Sequence, residues 1–566
     1  MTYKEHLCSL GLTSTNTNMK KLLFLTALLL LWQLPAQQNI SSSQWQEDLR
    51  FLQNTVHKDY PFLFKKTTAK AFDEAIEDFY KTIPQMQDHE VLVGFGRIIG
   101  MFKYGHTRVG FRESPVPYHK LPLNLYQFPD GLYIIGAHKD FSSVVGAKIT
   151  AIEGMPTKEA LKAIYPVVPV ENEQFFKAYA GIYMVIPEVL HAQGITKTLK
   201  QNINLSLEKD GKPFNSVINA TSNLDTPLQY GEPKPDSDWV GVRDQSQNPL
   251  YLKNLDKIYY FEYLPNEKAV YVRHSQIQDD PSENIPAFYK RLFEFIDNNE
   301  VEKLILDVRL NGGGNNYKNK PIVTGIIEHQ KINQPGKFFV IIGRDTFSAC
   351  QNLVNELDNY TNAIFVGEPT GENINFYGDN RRVELPNSKL PVYLSFAWWQ
   401  DKPQWENADY TVPHLAVEPT FAEYSANEDP VLETALSFSA DNFIIDPMGY
   451  LTQLFMDEKY ELLATEAQRL VQDPAYKFFD FEAEFNKAGY QMLGSGQFEG
   501  ALYVFEMNTK LFPESANAWD SLAEGYWKSG DLVKAKENYN KAIGLDPKGP
   551  TGDNARRMLS EMEGGH

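Results

Sequence analysis

The chain has 566 residues, of which 42% are apolar and 22% are charged, and its formal net charge is -19. This length predicts three or four domains, and the composition predicts a packed globular protein rather than disorder. The negative charge disfavours contact with phosphate backbones. Since no basic stripe or nucleic-acid motif offsets it, the sequence predicts no nucleic-acid partner.

Residues 1–38 are predicted to form a leader that contains a secretory signal. Met19-Lys20-Lys21 supplies a basic start, residues 22–31 are mostly apolar, and Ala36 is a small residue at a plausible cleavage point. The apolar run is too short to span a membrane, and no other stretch is long and apolar enough. The mature chain is therefore expected to be periplasmic or secreted, without a membrane span, with translation starting at Met19.

The next two regions differ in their hydrophobic patterns. Residues 39–115 are predicted to form a helical cap, because apolar residues recur there at three- and four-residue spacing. Residues 116–249 instead show short strands with turns. The segment "GAKITAIEGMP" (146–156) resembles the second half of a PDZ-like domain, which would bind an extended peptide by strand addition. A structural spacer is the alternative, and the proline-rich stretch that ends near Pro249 is predicted to be an irregular connection.

Residues 250–445 are predicted to form an α/β core. Residues 304–308, 338–342 and 363–366 are continuous apolar runs separated by helical stretches, as in a buried parallel sheet. Residues 446–566 are helical and carry a repeat. Pro513 and Pro547 lie 34 residues apart, as do Gly496 and Gly530, which predicts tetratricopeptide repeats. Such repeats would recruit a protein partner or align a substrate protein.

A loop whose residues could bind a ligand or take part in a reaction follows each apolar strand. Gly312, Gly313 and Gly314 follow the first strand and permit a close backbone approach to a ligand, or else a tight turn. Ser348 follows the second strand just before a helix, where free N–H groups favour a developing oxyanion; simple helix capping is the alternative. "GEPTGEN" (367–373) follows the third strand. Ligands commonly bind beyond the carboxyl ends of such strands.

Three linked motifs resemble those of tail-specific, or C-terminal processing, serine peptidases. They are "LILDVRLNGGGN" (304–315), "VIIGRDTFSACQNLVNEL" (340–357) and "AIFVGEPTGE" (363–372), and the resemblance covers about residues 250 to 440. It implies a crotonase-like β-β-α spiral core and acyl-enzyme cleavage of peptides or protein tails. It further implies Ser348 as nucleophile, with an oxyanion hole from Gly312 or Gly313 and from Ala349.

The base is less directly indicated. One branch of the family uses a lysine at the position of Asn373, and a neutral amide cannot take a proton from serine. The tricorn-like branch uses a histidine, and "YGHTR" (104–108) resembles its motif, which implies His106 as general base. The serine that precedes this histidine in tricorn is replaced by Gly105. Glu406 loosely matches the distal glutamate, and His414 is a second candidate base.

Two alternatives remain open at the sequence level. Cys350 lies two residues after Ser348 and is either a second possible nucleophile or a small buried residue. The missing lysine, the missing serine and the repeats also fit a catalytically inactive peptidase fold that binds peptides as a scaffold. The histidines show no HExxH spacing or Cys/His cluster, so no metal and no cofactor are expected.

Overall fold

The computed structural model describes residues 40–222, 226–236, 238–405, 408–439 and 443–564. These residues form a mixed α/β protein with a six-stranded sheet at its core and a helical C-terminal region, which confirms the predicted class. The predicted leader, residues 1–38, lies outside the described residues. Within the described ranges, no helix combines the length and apolar character needed to cross a membrane.

Three helices form the N-terminal unit: α1 (Ser42–Asp59), α2 (Ala69–Thr82) and α3 (Asp88–Gly100). Ser41 and Thr68 cap α1 and α2 by accepting hydrogen bonds from backbone amides in the first turn. After α3, strand β1 (Arg108–Val109) pairs with a strand far along the chain. The apolar faces of the helices share one core with that distant strand and its neighbour.

The second region is a seven-stranded sheet with three helices. Its strands are β3 (Leu123–Phe128), β4 (Gly131–His138), β5 (Lys148–Ile152), β6 (Met155–Pro156), β7 (Asn202–Lys209), β8 (Lys212–Asn219) and β12 (Trp239–Gly241). Two small pairs accompany it: β2 (His119–Lys120) with β9 (Thr221–Ser222), and β10 (Leu228–Gln229) with β11 (Glu232–Pro233). Its helices are α4 (Thr157–Ile164), α5 (Glu173–Met184) and α6 (Pro187–Ala192).

The proline-rich stretch before Pro249 is more ordered than the sequence predicts. Within it, β12 pairs antiparallel with β4 and closes one edge of the seven-stranded sheet. The side chain of Trp239 is buried there, and burial of a large aromatic surface stabilises this short strand. The prediction of a wholly irregular connection is therefore wrong for β12 and for the β10–β11 pair.

The core sheet has the strand order β13-β14-β15-β16-β17-β20. These strands are β13 (Tyr259–Leu264), β14 (Ala269–His274), β15 (Lys303–Asp307), β16 (Phe338–Ile342), β17 (Ile364–Gly367) and β20 (Leu415–Ala416). Only the β13–β14 pair is antiparallel. Helices on both faces bury the central strands: α7 (Ile285–Asn298), α8 (Lys320–Glu328) and α9 (Ala349–Tyr360) on one, α11 (Pro430–Ser437) on the other. A short helix, α10 (Phe421–Ser425), precedes α11.

A long hairpin extends from the core sheet towards the N-terminal helices. It consists of β18 (Phe376–Glu384) and β19 (Pro391–Trp399), and β1 adds to β19 as a third strand. This hairpin was not predicted, and it is the element that joins the N-terminal unit to the core.

The C-terminal region contains seven helices among the described residues. They are α12 (Pro447–Met456), α13 (Tyr460–Gln472), α14 (Phe481–Gly494), α15 (Phe498–Leu511), α16 (Ala516–Ser529), α17 (Leu532–Leu545) and α18 (Pro550–Gly564). From α14 onwards, each helix is followed two helices later by one that begins about 34 residues further along, which is the predicted repeat length. The assignment of these helices as tetratricopeptide repeats remains a prediction.

Candidate active site

Ser348 lies in a sharp turn between β16 and α9. Its backbone has φ 55° and ψ -127°, and its side chain does not cap the helix. A positive φ is strained for a residue with a side chain. A comparable strained strand-to-helix turn presents the nucleophile of α/β-hydrolases. The helix-capping alternative for Ser348 therefore has no support in this geometry.

Hydrogen bonds to the neighbouring loop hold this turn. The Thr346 hydroxyl donates to the carbonyl of Val308 at 3.0 Å and accepts from the Gly343 amide at 3.0 Å. The Phe347 amide donates to the Asn311 carbonyl at 3.1 Å. The serine turn and the glycine-rich loop are consequently one hydrogen-bonded unit at the carboxyl edge of the sheet.

His106 lies against Ser348 although the two residues are 242 positions apart in the sequence. Its Nε2 is 2.9 Å from Ser348 Oγ. The ring also packs on Phe347, with 4.7 Å between ring centroids. The structure thus brings together the two residues that the sequence assigns as nucleophile and base.

The residues on either side of His106 explain how it is held. Thr107 Oγ1 lies 2.7 Å from Ser395 Oγ and accepts from the Ser395 amide at 3.1 Å. A Cβ atom on Gly105 would lie 2.4 Å from the ring of Phe175 and 2.8 Å from that of Phe347. There is no room for a serine before His106, which gives a packing reason for the glycine at that position.

The environment of His106 favours its neutral form. Burial lowers the pKa of His106 to about 4, and the charge of Arg108 acts in the same direction. A neutral imidazole can accept a proton at neutral pH. The second candidate, His414, has a different role: its Nδ1 accepts the Phe365 amide at 3.0 Å, and its ring stacks on that residue. The structure therefore engages His414 with strand β17 instead of with Ser348.

The glycine-rich loop approaches Ser348 closely. Gly313 has φ +101°, and a Cβ atom there would lie 2.6 Å from Ser348 Cβ. The Gly313 amide donates to Asn311 Oδ1 at 3.0 Å, so this predicted oxyanion donor is already engaged. Among the described residues, no hydrogen bond is found to the amides of Gly312 or Ala349. Those two amides are free to bind an oxygen atom.

Two buried glutamates contact the backbone beside both candidate catalytic residues. Glu372 Oε2 accepts the amide of Ser348 itself at 3.0 Å. Glu171 Oε2 accepts the amide of Gly105 at 2.7 Å, and its Oε1 accepts Asn373 Nδ2 at 2.8 Å. Glu171 therefore bonds to the residue next to Glu372, and each carboxyl group affects the pKa of the other. Asn373, at the position of the family's lysine, is therefore a partner of Glu171.

This glutamate pair was not predicted. Glu372 stands in the third loop, where it received no role, and Glu171 belongs to no motif. A buried carboxyl that follows a strand in a polar loop is a usable signal for Glu372, but only the folded chain brings Glu171 to it.

The remaining sequence candidates have simpler outcomes. Cys350 lies in the first turn of α9 and is buried in the core. Burial raises the pKa of its thiol, so the thiol stays protonated and inaccessible. Glu406 lies outside the described residues. No group of three or more side chains suited to a metal ion occurs in the described part of the chain.

A groove of about 770 Å³ opens beside the glycine-rich loop. Its walls come from β3, from α5 and from Gly312, Gly313 and Gly314. Asp345 also faces the groove, and burial raises the pKa of Asp345 to about 7. Ser348 is not among the residues that line the groove, but Gly313, which approaches Ser348 closely, lines it.

Three solved structures illustrate what this chain is similar to, and two of them are named as proteases. One is mature CPAF complexed with lactacystin, at 13% identity over 70% of this chain and 98% of that chain, with a TM-score of 0.49. Another is the photosystem II D1 C-terminal processing protease, at 13% identity over 66% and 93%, with a TM-score of 0.32. A third is the tricorn protease, at 14% identity over 70% and 36%, with a TM-score of 0.34.

No family model and no curated protein sequence matches the chain. With TM-scores below 0.5, the structural similarities alone assign no activity. The functional argument therefore rests on the residues of the site.

Proposed function

We propose that this protein is a serine-type peptidase of the tail-specific, C-terminal processing kind, with Ser348 as nucleophile and His106 as general base. The observation that carries the proposal is the 2.9 Å contact between His106 Nε2 and Ser348 Oγ on a strained strand-to-helix turn. A nucleophile within hydrogen-bond reach of a neutral base is the arrangement that acyl transfer requires.

The reaction follows from this geometry. His106 Nε2 takes the proton of the Ser348 hydroxyl as Oγ forms a bond to a peptide carbonyl carbon. The tetrahedral oxyanion is held by the Ala349 amide and by an amide of the glycine-rich loop. Gly312 offers a free amide, whereas Gly313 would first exchange Asn311 for the substrate oxygen. His106 then protonates the departing amine, and water releases the acyl group from Ser348 in the reverse sequence.

The groove beside the glycine-rich loop is the proposed substrate site. An extended peptide laid along it would pass the loop and reach Ser348 at its end. We further propose a crotonase-like spiral for the core, a PDZ-like peptide-binding role for residues 116–249 and tetratricopeptide repeats for residues 446–566. Export to the periplasm or beyond rests on the predicted leader, and Glu406 is retained as the proposed third member of the site.

A fluorophosphonate probe tests the nucleophile directly. The wild-type protein should form a covalent adduct that maps to Ser348 and should hydrolyse unstructured peptides. Ser348→Ala should abolish both. Ser282→Ala, which changes an exposed serine of the same domain, is the matched control and should behave as wild type.

The scaffold alternative makes the opposite prediction. One observation favours it: the Gly313 amide, a candidate oxyanion donor, is occupied by Asn311. If the protein is a scaffold, calorimetry should show equal peptide affinity for the wild type and Ser348→Ala, and the probe should not react. Absence of labelling together with unchanged turnover in the variant would overturn the peptidase proposal.

A further inference from the structure

The Glu171–Glu372 pair connects the two segments that carry the proposed catalytic residues. One carboxyl group accepts the amide of Ser348, and the other accepts the amide of the residue before His106. Both side chains are buried, Glu171 at 4% exposure and Glu372 at 0%. The pair therefore connects the Ser348 turn and the His106 segment through buried hydrogen bonds, beside the 2.9 Å contact between base and nucleophile.

A second charge on two interacting carboxyl groups in a buried site is disfavoured, because like charges and lost hydration each penalise it. Burial, followed by the charge of Glu171, raises the pKa of Glu372 well above its ordinary value. Burial raises the pKa of Glu171 as well. The Oε1 atom of Glu372 is buried and has no hydrogen-bond donor as a partner. A proton on this atom, donated to Glu171, accounts for its position.

The other titratable groups around the pair are few. Lys66 donates to the Glu171 carbonyl at 3.3 Å, and its charge lowers the pKa of both glutamates. The charge of Glu372 contributes, after burial and the charge of Asp345, to a raised pKa of Tyr179. Lys103 and Glu173, together with Glu171, line a cavity of about 430 Å³. This cavity lets the pair exchange protons with solvent.

We propose that Glu171 and Glu372 share one proton and thereby act as positioning residues that hold the His106 segment and the Ser348 turn together. The inference rests on the proposed peptidase function and extends it to regulation by pH. Loss of the shared proton leaves two adjacent negative charges, which repel each other and separate the two amides that the pair holds. The proposed site is then disassembled on the alkaline side without any change in Ser348 or His106 themselves.

The sign of the stability effect follows from the same proton. An acid whose pKa is raised by folding binds more protons in the native state than in the unfolded state. The stability that the protonated pair contributes is therefore fully present below the ordinary glutamate pKa. It is lost as pH rises from there through the raised pKa of the native pair. Glu372→Gln removes this dependence, because its amide donates to Glu171 and its carbonyl accepts the Ser348 amide at every pH.

The experiment compares the wild type, Glu372→Gln and Glu173→Gln, where Glu173 is an exposed neighbour in the same cavity wall. Both kcat/KM on an unstructured peptide and the thermal midpoint are measured against pH. We expect an alkaline fall in wild-type kcat/KM that disappears in Glu372→Gln. We also expect a flatter dependence of the thermal midpoint on pH in Glu372→Gln, and wild-type behaviour in Glu173→Gln.

Each contrary outcome is distinct. An unchanged dependence of the thermal midpoint on pH in Glu372→Gln would overturn the shared proton. A flatter dependence with an unchanged alkaline limb in kcat/KM would overturn the positioning role. A wild-type protein with no turnover and no probe labelling would instead remove the proposed peptidase function, while the thermal comparison would still decide whether the proton is shared.

Discussion

The nucleophile and the base are held in place by contacts of very different range. The Ser348 turn is fixed by neighbours in the core domain: Thr346 reaches Val308, 38 residues away, and Ser348 reaches Glu372, 24 residues away. The base segment instead depends on Thr107 and Ser395, which are 288 positions apart. One half of the site is therefore built by adjacent loops that follow core strands, and the other by docking of the N-terminal unit.

This difference teaches which half of the site is the more easily disturbed. The strained turn at Ser348 is surrounded by a parallel sheet that is buried on both faces, so its geometry is determined within one core. The position of His106 depends on a hairpin, on a two-strand pairing with β1 and on buried polar contacts between distant segments. We expect changes at the docking contacts to act on catalysis through the base while the nucleophile turn stays intact.

Removal of the base itself should have the largest effect. His106→Ala should lower kcat/KM by about 10⁴-fold or more, because the nucleophile of a serine hydrolase is weak without its base. In the wild type, kcat/KM should rise with pH through a value near 4, where His106 loses its proton. Both are measured by steady-state peptide hydrolysis against pH.

The matched control is His57→Ala, which removes a histidine of the N-terminal helices that pairs with Asp73 far from the site. It should leave the pH profile unchanged. Retention of more than a tenth of wild-type kcat/KM in His106→Ala would show that another group serves as the base.

The nucleophile half can be broken at the glycine-rich loop. Gly313→Ala places a Cβ atom 2.6 Å from Ser348 Cβ at a φ of +101°, so the loop must shift away from the serine turn. We expect kcat to fall by about 10²- to 10³-fold, the effect of losing one oxyanion donor, with a folded protein by circular dichroism.

Gly312→Ala is the paired control for this loop. A Cβ atom on Gly312 meets nothing within 4 Å, and its substitution keeps every backbone amide. A kcat within about threefold of wild type is expected. Equal losses in the two variants would show that loop flexibility, and not the approach to Ser348, limits the reaction.

The same contrast explains what the sequence could and could not predict. The apolar runs that become β15, β16 and β17 are local patterns, and the loops that follow them contain Gly312 and Ser348, so this half was predicted residue by residue. The hairpin was missed because its strands alternate too little. The role of Glu171 could not be predicted, because it depends on the interaction with Glu372, which lies about 200 residues further along the chain.

His106 lies between these cases. Its identity came from a short motif, but its position against Ser348 depends on the docking of β1 on β19. The packing of Phe175 and Phe347 around Gly105 is a tertiary property that no local pattern carries. The motif alone therefore indicates a missing serine at Gly105, whereas the structure shows that a side chain has no space there.

The docking contact of the base gives the smallest and most selective test. Thr107 is fully buried at 0% exposure, and Thr107→Val keeps its shape but leaves the Ser395 amide without an acceptor. Such a loss costs about 1–3 kcal/mol and loosens the segment that positions His106. We expect a fall in kcat of about tenfold with little change in KM, and recovery in Thr107→Ser, which restores the hydroxyl. If Thr107→Val lowers the thermal midpoint but leaves kcat unchanged, the base is held by the β1–β19 pairing alone and the polar contact only stabilises the fold.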